Sequence, residues 1–135
     1  MRTIRDAITQ ELDPTTFEYT FDTVQEDPND STAWLIQGTF YPPNYLLEDS
    51  TLDLDSDGVL HEQDERHGYD FTMVVPAVAR ERGDLSLVLI GHGIFGTGEG
   101  MLASSWSDEI FHPMANDLGA VFIATDWIGL SGGDR

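Results

Sequence analysis

The last fifty residues constrain the fold of this chain more than any other segment. An apolar run at residues 85–90 leads directly into a glycine-rich loop at 91–96, with the sequence Gly-His-Gly-Ile-Phe-Gly. A second apolar run at 120–125 ends in Asp-Trp-Ile-Gly-Leu-Ser. Between them, residues 107–118 are predicted to form a helix that stops at Gly119, a residue that readily adopts a left-handed conformation. The order is therefore strand, glycine loop, helix and strand, which is typical of a βαβ unit.

The first half of the chain is predicted to be rich in β-structure. Aromatic residues alternate with polar ones over residues 17–22, as in a half-buried strand with an acidic outer face. Further strands are expected over residues 34–41 and 69–75, and each ends at proline. Residues 1–13 are interpreted as a short helix or a frayed lead-in.

These patterns together predict an α/β fold in two parts. Residues 1–84 form a β-rich extension that carries an acidic loop, and residues 85–135 form the first βαβ unit of a larger sheet. Two parallel strands with one crossover leave an exposed sheet edge, whereas parallel sheets are normally covered on both faces. We therefore expect more of the protein to follow Arg135 and to pack against this chain.

The charge balance limits the partners of the chain. It carries 25 Asp and Glu against 6 Lys and Arg, a net charge of -19, and this surface repels nucleic acid and anionic lipid. The excess is compatible with a high-salt habitat, divalent-cation binding or a very soluble surface. Without cysteine, disulfides, thiol nucleophiles and zinc-thiolate sites are excluded. No run has the apolar character of a signal peptide or the length of a membrane span.

The glycine loop has the composition of an oxyanion-stabilising turn. In ester hydrolysis the carbonyl oxygen gains negative charge, which preorganised backbone N–H groups stabilise. Glycines such as Gly93 let the backbone approach a substrate closely, and the Ile94 N–H is the predicted donor. His92 is expected to hold the loop through ring hydrogen bonds. The alternatives are a catalytic base at His92, or a plain flexible loop with no catalytic role.

A serine-nucleophile pattern, G-x-S-x-G, occurs at residues 129–133. A nucleophile of this kind needs a strand that runs directly into the serine and a helix that starts directly after it. Here residues 126–128 separate the predicted strand from the motif, and the following glycines start a helix poorly. Ser131 is therefore interpreted as part of a loop that braces the oxyanion turn.

Residues 53–64 follow the pattern of an EF-hand calcium loop. Carboxylates stand at positions 1, 3, 5 and 12 and a glycine stands at position 6. The predicted ligands of a structural calcium ion are Asp53, Asp55, Asp57, the Val59 carbonyl and Asp64. Position 12 is Asp rather than the longer Glu, and flanking helices are not evident. The alternative is a solvated acidic turn.

Five segments together resemble a group of secreted or lipoprotein-like bacterial α/β-hydrolases: residues 38–46, the acidic loop, and residues 69–76, 87–96 and 124–131. The resemblance implies an α/β-hydrolase sheet behind a β-rich extension, activity on carboxylic esters or lipids, and an extracellular, periplasmic or cell-surface location. It also implies that the catalytic triad does not fall within this chain, so that only the Ile94 donor can be placed.

Two functions follow from this reading. The first is the N-terminal fragment of a serine hydrolase, which contributes the oxyanion loop and is inactive alone. The alternative is a calcium-stabilised extracellular binding module whose hydrolase-like portion is a non-catalytic scaffold.

Overall fold

The computed structural model describes residues 18–127, 129 and 131. The predicted lead-in at 1–13 lies outside the described residues, as does part of the motif at 129–133. In chain order the elements are β1 (Glu18–Asn29), β2 (Thr32–Tyr41), β3 (Tyr69–Pro76), a 3-10 turn (Ala77–Arg80), β4 (Ser86–Ile90), α1 (Gly98–Leu102), α2 (Ser105–Leu118) and β5 (Ala120–Thr125).

The strands form one mixed five-stranded sheet in the order β1-β2-β3-β5-β4. β4 and β5 pair in parallel, with Leu87 opposite Val121, as two strands joined by a helical crossover must. β5 pairs antiparallel with β3 on its other side, with Thr72 opposite Ala124. A two-residue turn joins β1 to β2, and the Asn29 side chain accepts the Ser31 N–H there at 3.0 Å.

The predicted fold class, an α/β-hydrolase sheet behind a separate β-rich extension, is wrong. Strand residues make up 42% of the described residues and helical residues 21%, and only two α-helices occur among them. β1, β2 and β3, which were expected to belong to the extension, lie in the same sheet as β4 and β5. The prediction failed because sequence patterns identify strands but not the partner with which each strand pairs.

The described residues fall into two compact units. The first contains Phe40–Gly68 and the acidic loop, where Leu46 pairs with Leu52 and Leu54 pairs with Leu60 in isolated antiparallel bridges. The second contains Thr20–Thr39 and the chain from Tyr69 onward, and therefore nearly the whole sheet and both α-helices.

The core of the second unit lies between one face of the sheet and the two α-helices. Residues of β5 alternate between buried and half-buried, which places every second side chain against the helices. The fully enclosed members of this core are Val74, Leu102, Ala115, Ala120, Phe122 and Ala124. β4 is the last strand of the sheet among residues 18–127, and its Leu87 and Leu89 side chains are exposed.

Both ends of α2 are fixed by its sequence. The Ser104 hydroxyl accepts the Ser107 N–H at the start, and Gly119 ends the helix with a φ of 61°. The prediction of a helix that stops at Gly119 is confirmed. Neither α2 nor any other helix of the described residues has the length and apolar character needed to cross a membrane.

A buried histidine on α2 joins four parts of the second unit. His112 is fully enclosed, and its Nε2 lies 2.8 Å from the carbonyl of Leu102 at the end of α1. Its Nδ1 lies 2.8 Å from both the Thr32 hydroxyl and the Asn29 amide nitrogen. Since a carbonyl only accepts, Nε2 carries the hydrogen and Nδ1 accepts from the β1–β2 hairpin.

Replacing His112 with Leu should lower the free energy of unfolding by about 3 kcal/mol, because the Leu102 carbonyl and the buried Thr32 hydroxyl would lose their hydrogen bonds to the ring. Urea denaturation monitored by circular dichroism measures the change. Ser107→Ala is the matched control on the same helix. The Ser107 hydroxyl is enclosed and has no partner among the described residues, so its loss should cost nothing or increase stability. Equal losses in the two variants would contradict this account of His112.

Candidate active site

The glycine loop after β4 closes as a type II turn over residues 93–96. The Gly96 N–H donates to the Gly93 carbonyl at 2.9 Å, which is the hydrogen bond expected between the first and fourth residues of such a turn. Phe95, the third residue, has a positive φ of 61°, whereas Ile94, the second, does not. This combination defines type II geometry. A phenylalanine in the left-handed region costs roughly 1–2 kcal/mol, so the turn is strained.

The turn presents its second residue to solvent. The Ile94 side chain is 75% exposed and that of Phe95 is 55% exposed. No hydrogen bond from the Ile94 N–H is found within the described residues. The predicted oxyanion donor is therefore a backbone N–H that remains available to an acceptor at the surface.

His92 ties this loop to the loop that follows β5. Its Nδ1 lies 2.8 Å from the Gly93 carbonyl, and the Trp127 N–H donates to its Nε2 at 2.9 Å. Because a backbone N–H only donates, the ring hydrogen belongs on Nδ1. Both ring nitrogens are thus occupied, as expected of a bracing residue and not of a free base. Gly91 lies directly under the indole, where an added Cβ would be 2.6 Å from the Trp127 ring.

A carboxylate makes a second connection between the two loops. The Asp126 side chain accepts the Gly98 N–H at 2.7 Å, at the beginning of α1. Gly98 is packed so tightly that an added Cβ would lie 3.0 Å from the backbone of Ala124. Gly96 and Ser131 also form a parallel bridge. These contacts fix the start of α1 against the end of β5.

Ser131 lies in the bracing loop and is 6% exposed. A nucleophile must reach its substrate, and this degree of burial does not favour that role for Ser131. The residues that follow it, 132–135, lie outside the described residues, so the helix that a nucleophilic serine requires is not tested.

The acidic loop of the first unit uses many of its oxygens internally. One oxygen of Asp55 accepts the N–H groups of Asp57 and Val59, each at 2.9 Å. The Val59 N–H, followed by the Asp57 N–H and the charge of a nearby histidine, lowers the pKa of Asp55 below its usual value. The Val59 carbonyl accepts the Asp55 N–H at 3.1 Å, and Asp53 accepts from the Gln63 amide at 2.7 Å.

The remaining predicted calcium ligand, Asp64, is exposed. Within the part of the chain that the structure describes, no group of three His, Cys, Asp or Glu side chains is arranged to hold a metal ion. As arranged, the loop would have to release internal hydrogen bonds to surround an ion. Calcium binding at residues 53–64 stays a prediction.

Sequence reasoning did not single out several residues that the fold brings together. Asp22 of β1 and Asp70 and Thr72 of β3 line one cleft beside Gly98. His112 was expected only as part of a helix. The one local signal for Thr72 is that it is a polar residue within the apolar run of β3. Buried polar side chains normally have hydrogen-bond partners, so a polar residue in such a run has to be explained.

Comparison with protein-family models, curated proteins and solved structures found no match to this chain.

Replacing Phe95 with Gly should raise the free energy of unfolding by about 1 kcal/mol, because glycine adopts a positive φ without steric strain. Thermal and urea denaturation would show the gain. Ile94→Gly is the matched control at the neighbouring exposed position, where φ is not positive. There the added flexibility should lower stability by roughly 0.5–1 kcal/mol. A loss of stability in both variants would mean that the Phe95 conformation is not strained.

Proposed function

We propose that this chain supplies the oxyanion-stabilising loop of a serine hydrolase that acts on carboxylic esters or lipids. One observation carries the proposal: in the braced type II turn after β4, the Ile94 N–H has no hydrogen-bond partner among the described residues, and the Ile94 side chain is exposed. Backbone strain that the surrounding structure maintains is found preferentially at functional sites, and Phe95 provides such strain in this turn.

Stabilisation of the oxyanion depends more on the rigidity of the N–H donor than on its strength. As a nucleophile attacks an ester carbonyl, the oxygen becomes negatively charged, and a donor already in position stabilises that charge without reorganisation. His92 and Asp126 support this rigidity, since each connects the loop region after β4 to the segment that follows β5. A flexible glycine loop would have to pay the entropy of ordering at every turnover.

The proposal needs a nucleophilic serine and a histidine base in addition to this loop. Ser131 is buried, and the rings of His92 and His112 have both nitrogens in hydrogen bonds. We therefore place the nucleophile, its base and the supporting acid in a further part of the same protein. An extracellular, periplasmic or cell-surface location also belongs to the proposal and depends on the resemblance alone.

In the protein expressed from its entire gene, Ile94→Pro should lower kcat for p-nitrophenyl butyrate by about 10²–10³ and change KM little. Proline suits the second position of a type II turn and removes only the N–H. Ile94→Ala, which keeps the N–H, is the matched control and should retain kcat within a few-fold. Equal activity in the proline variant and the wild type would rule out Ile94 as the donor.

The 135-residue chain alone should not hydrolyse p-nitrophenyl butyrate above the background rate, because the proposed nucleophile lies elsewhere. Reproducible turnover by the purified chain would contradict that placement. Absence of turnover in the protein from the entire gene, across acetyl, butyryl and longer esters, would contradict the hydrolase proposal itself.

A second candidate is a calcium-stabilised binding module with a non-catalytic scaffold. The observation in its favour is Gly58, whose φ of 75° lets the acidic loop reverse direction at the position where EF-hand loops carry glycine. This candidate predicts that millimolar calcium raises Tm by mass action and that magnesium does so less.

Differential scanning calorimetry with and without calcium measures this effect. The variant with both Asp55→Ala and Asp57→Ala should lose the calcium response, whereas Glu48→Gln, which removes a charge outside the loop, should keep it. A Tm that is independent of calcium in the wild type would eliminate this candidate.

A further inference from the structure

A cleft of about 280 Å³ opens in the second unit beside the first turn of α1. The amino end of β3 and the residue after β5 contribute to its wall, and β1 and β2 complete it. Its volume is near the lower end of the range for small-molecule sites. It does not include Ile94 or His92, so it is separate from the proposed oxyanion turn.

Carboxylates dominate the charge of this cleft. Asp22, Asp70, Glu99 and Asp126 line it, and none of the described lining residues is Lys, Arg or His. Asp126 already accepts the Gly98 N–H at the start of α1 at 2.7 Å. The other three carboxylates have no basic side chain beside them in the cleft, which gives the space a negative potential.

Two of these carboxylates compete for one hydrogen. The Thr39 hydroxyl lies 3.1 Å from an oxygen of Asp22 and 3.2 Å from an oxygen of Asp70. A hydroxyl has a single hydrogen, so it serves only one of the two acceptors at a time. The Thr20 hydroxyl donates to the other oxygen of Asp22 at 3.0 Å, and both carboxylates are exposed. A cation with several N–H groups can donate to both carboxylates at once.

A buried hydroxyl in the same cleft has no partner. Thr72 is 2% exposed and lines the cleft, yet its side chain makes no hydrogen bond to any described residue. Its hydroxyl is not fully enclosed either, because Ser107 Oγ is the one enclosed and unpaired side-chain polar atom of the described residues. Thr72 is opposite Ala124 in β5, so its side chain lies on the Ala124 side of the sheet, beside Gly98 at the start of α1, where the hydroxyl can accept from a ligand.

We propose that this cleft binds a small organic cation through a primary ammonium group. The three N–H groups of an ammonium match acceptors at Asp22, Asp70 and Thr72. A metal ion fits less well, since no three carboxylates of the described residues are arranged to ligate one. The inference goes beyond the proposed ester hydrolysis and does not depend on it.

The test is a titration of the 135-residue chain with n-butylammonium chloride, followed by amide chemical shifts and isothermal calorimetry. n-Butanol, which has the same stem without charge, should not bind. Saturable binding of n-butylammonium at one site is expected, with the largest shifts at Thr72 and its neighbours. Sodium chloride should weaken it by screening. Saturable n-butanol binding at the same site, or calcium binding there without n-butylammonium binding, would overturn the proposal.

Variants then separate the cleft from general surface charge. Thr72→Val removes only the unpaired hydroxyl, so it should fold normally and weaken binding about tenfold. Asp70→Asn should weaken binding by a similar factor. Glu109→Gln, an exposed carboxylate on α2 outside the cleft, should change it less than twofold. Unchanged affinity in both cleft variants, or an equal loss in Glu109→Gln, would overturn the proposal. If Thr72→Val does not fold, the affinity of the Asp70→Asn variant alone tests the proposal.

Discussion

The arrangement of the second unit depends on the hydrogen bonds of one enclosed histidine. His112 is a large polar side chain in an apolar layer, and its burial is tolerated because both ring nitrogens are satisfied. Its partners belong to the β1–β2 hairpin and to the end of α1, so one ring fixes α2 relative to three other segments. An apolar residue of the same volume could pack there, but it would leave the Thr32 hydroxyl and the Leu102 carbonyl without their hydrogen bonds to the ring. The positions of α1 and of the loops around it follow from this contact.

The two loops at the carboxyl ends of β4 and β5 become one structure because the strands are parallel neighbours. His92, Gly91 and Trp127 meet there, and Asp126 reaches across to the amino end of α1. A tight network of this kind can maintain a conformation that an isolated turn would avoid, such as the positive φ of Phe95. The same network holds the Ile94 N–H in place, and no described residue accepts its hydrogen.

Within the part of the chain that the structure describes, the arginines pair with neighbouring acidic side chains. Arg80 pairs with Glu26 and Asp27 at 3.2 and 2.8 Å and lies 4.6 Å from the ring centre of Trp34. The side-chain hydrogen bonds with Asp27 and then Glu26 raise the pKa of Arg80 above its ordinary value. The acidic loop is stabilised instead by its own N–H groups and amides. Arg66, Arg80 and Arg82, the arginines of the described residues, do not line the cleft beside α1, where the charged side chains of the described lining are carboxylates.

The sequence by itself determined the local elements, because their signals depend only on neighbouring residues. Apolar runs placed β4 and β5, Gly119 ended α2, and the glycines at 91–96 marked the loop between them. Only the tertiary structure decided that β3 pairs with β5 and that the first strands share their sheet, which overturned the α/β-hydrolase fold. It also decided that His92 meets Trp127 and that Asp22, Asp70 and Thr72 line one cleft. Such contacts join residues far apart in the chain, and no local pattern encodes them.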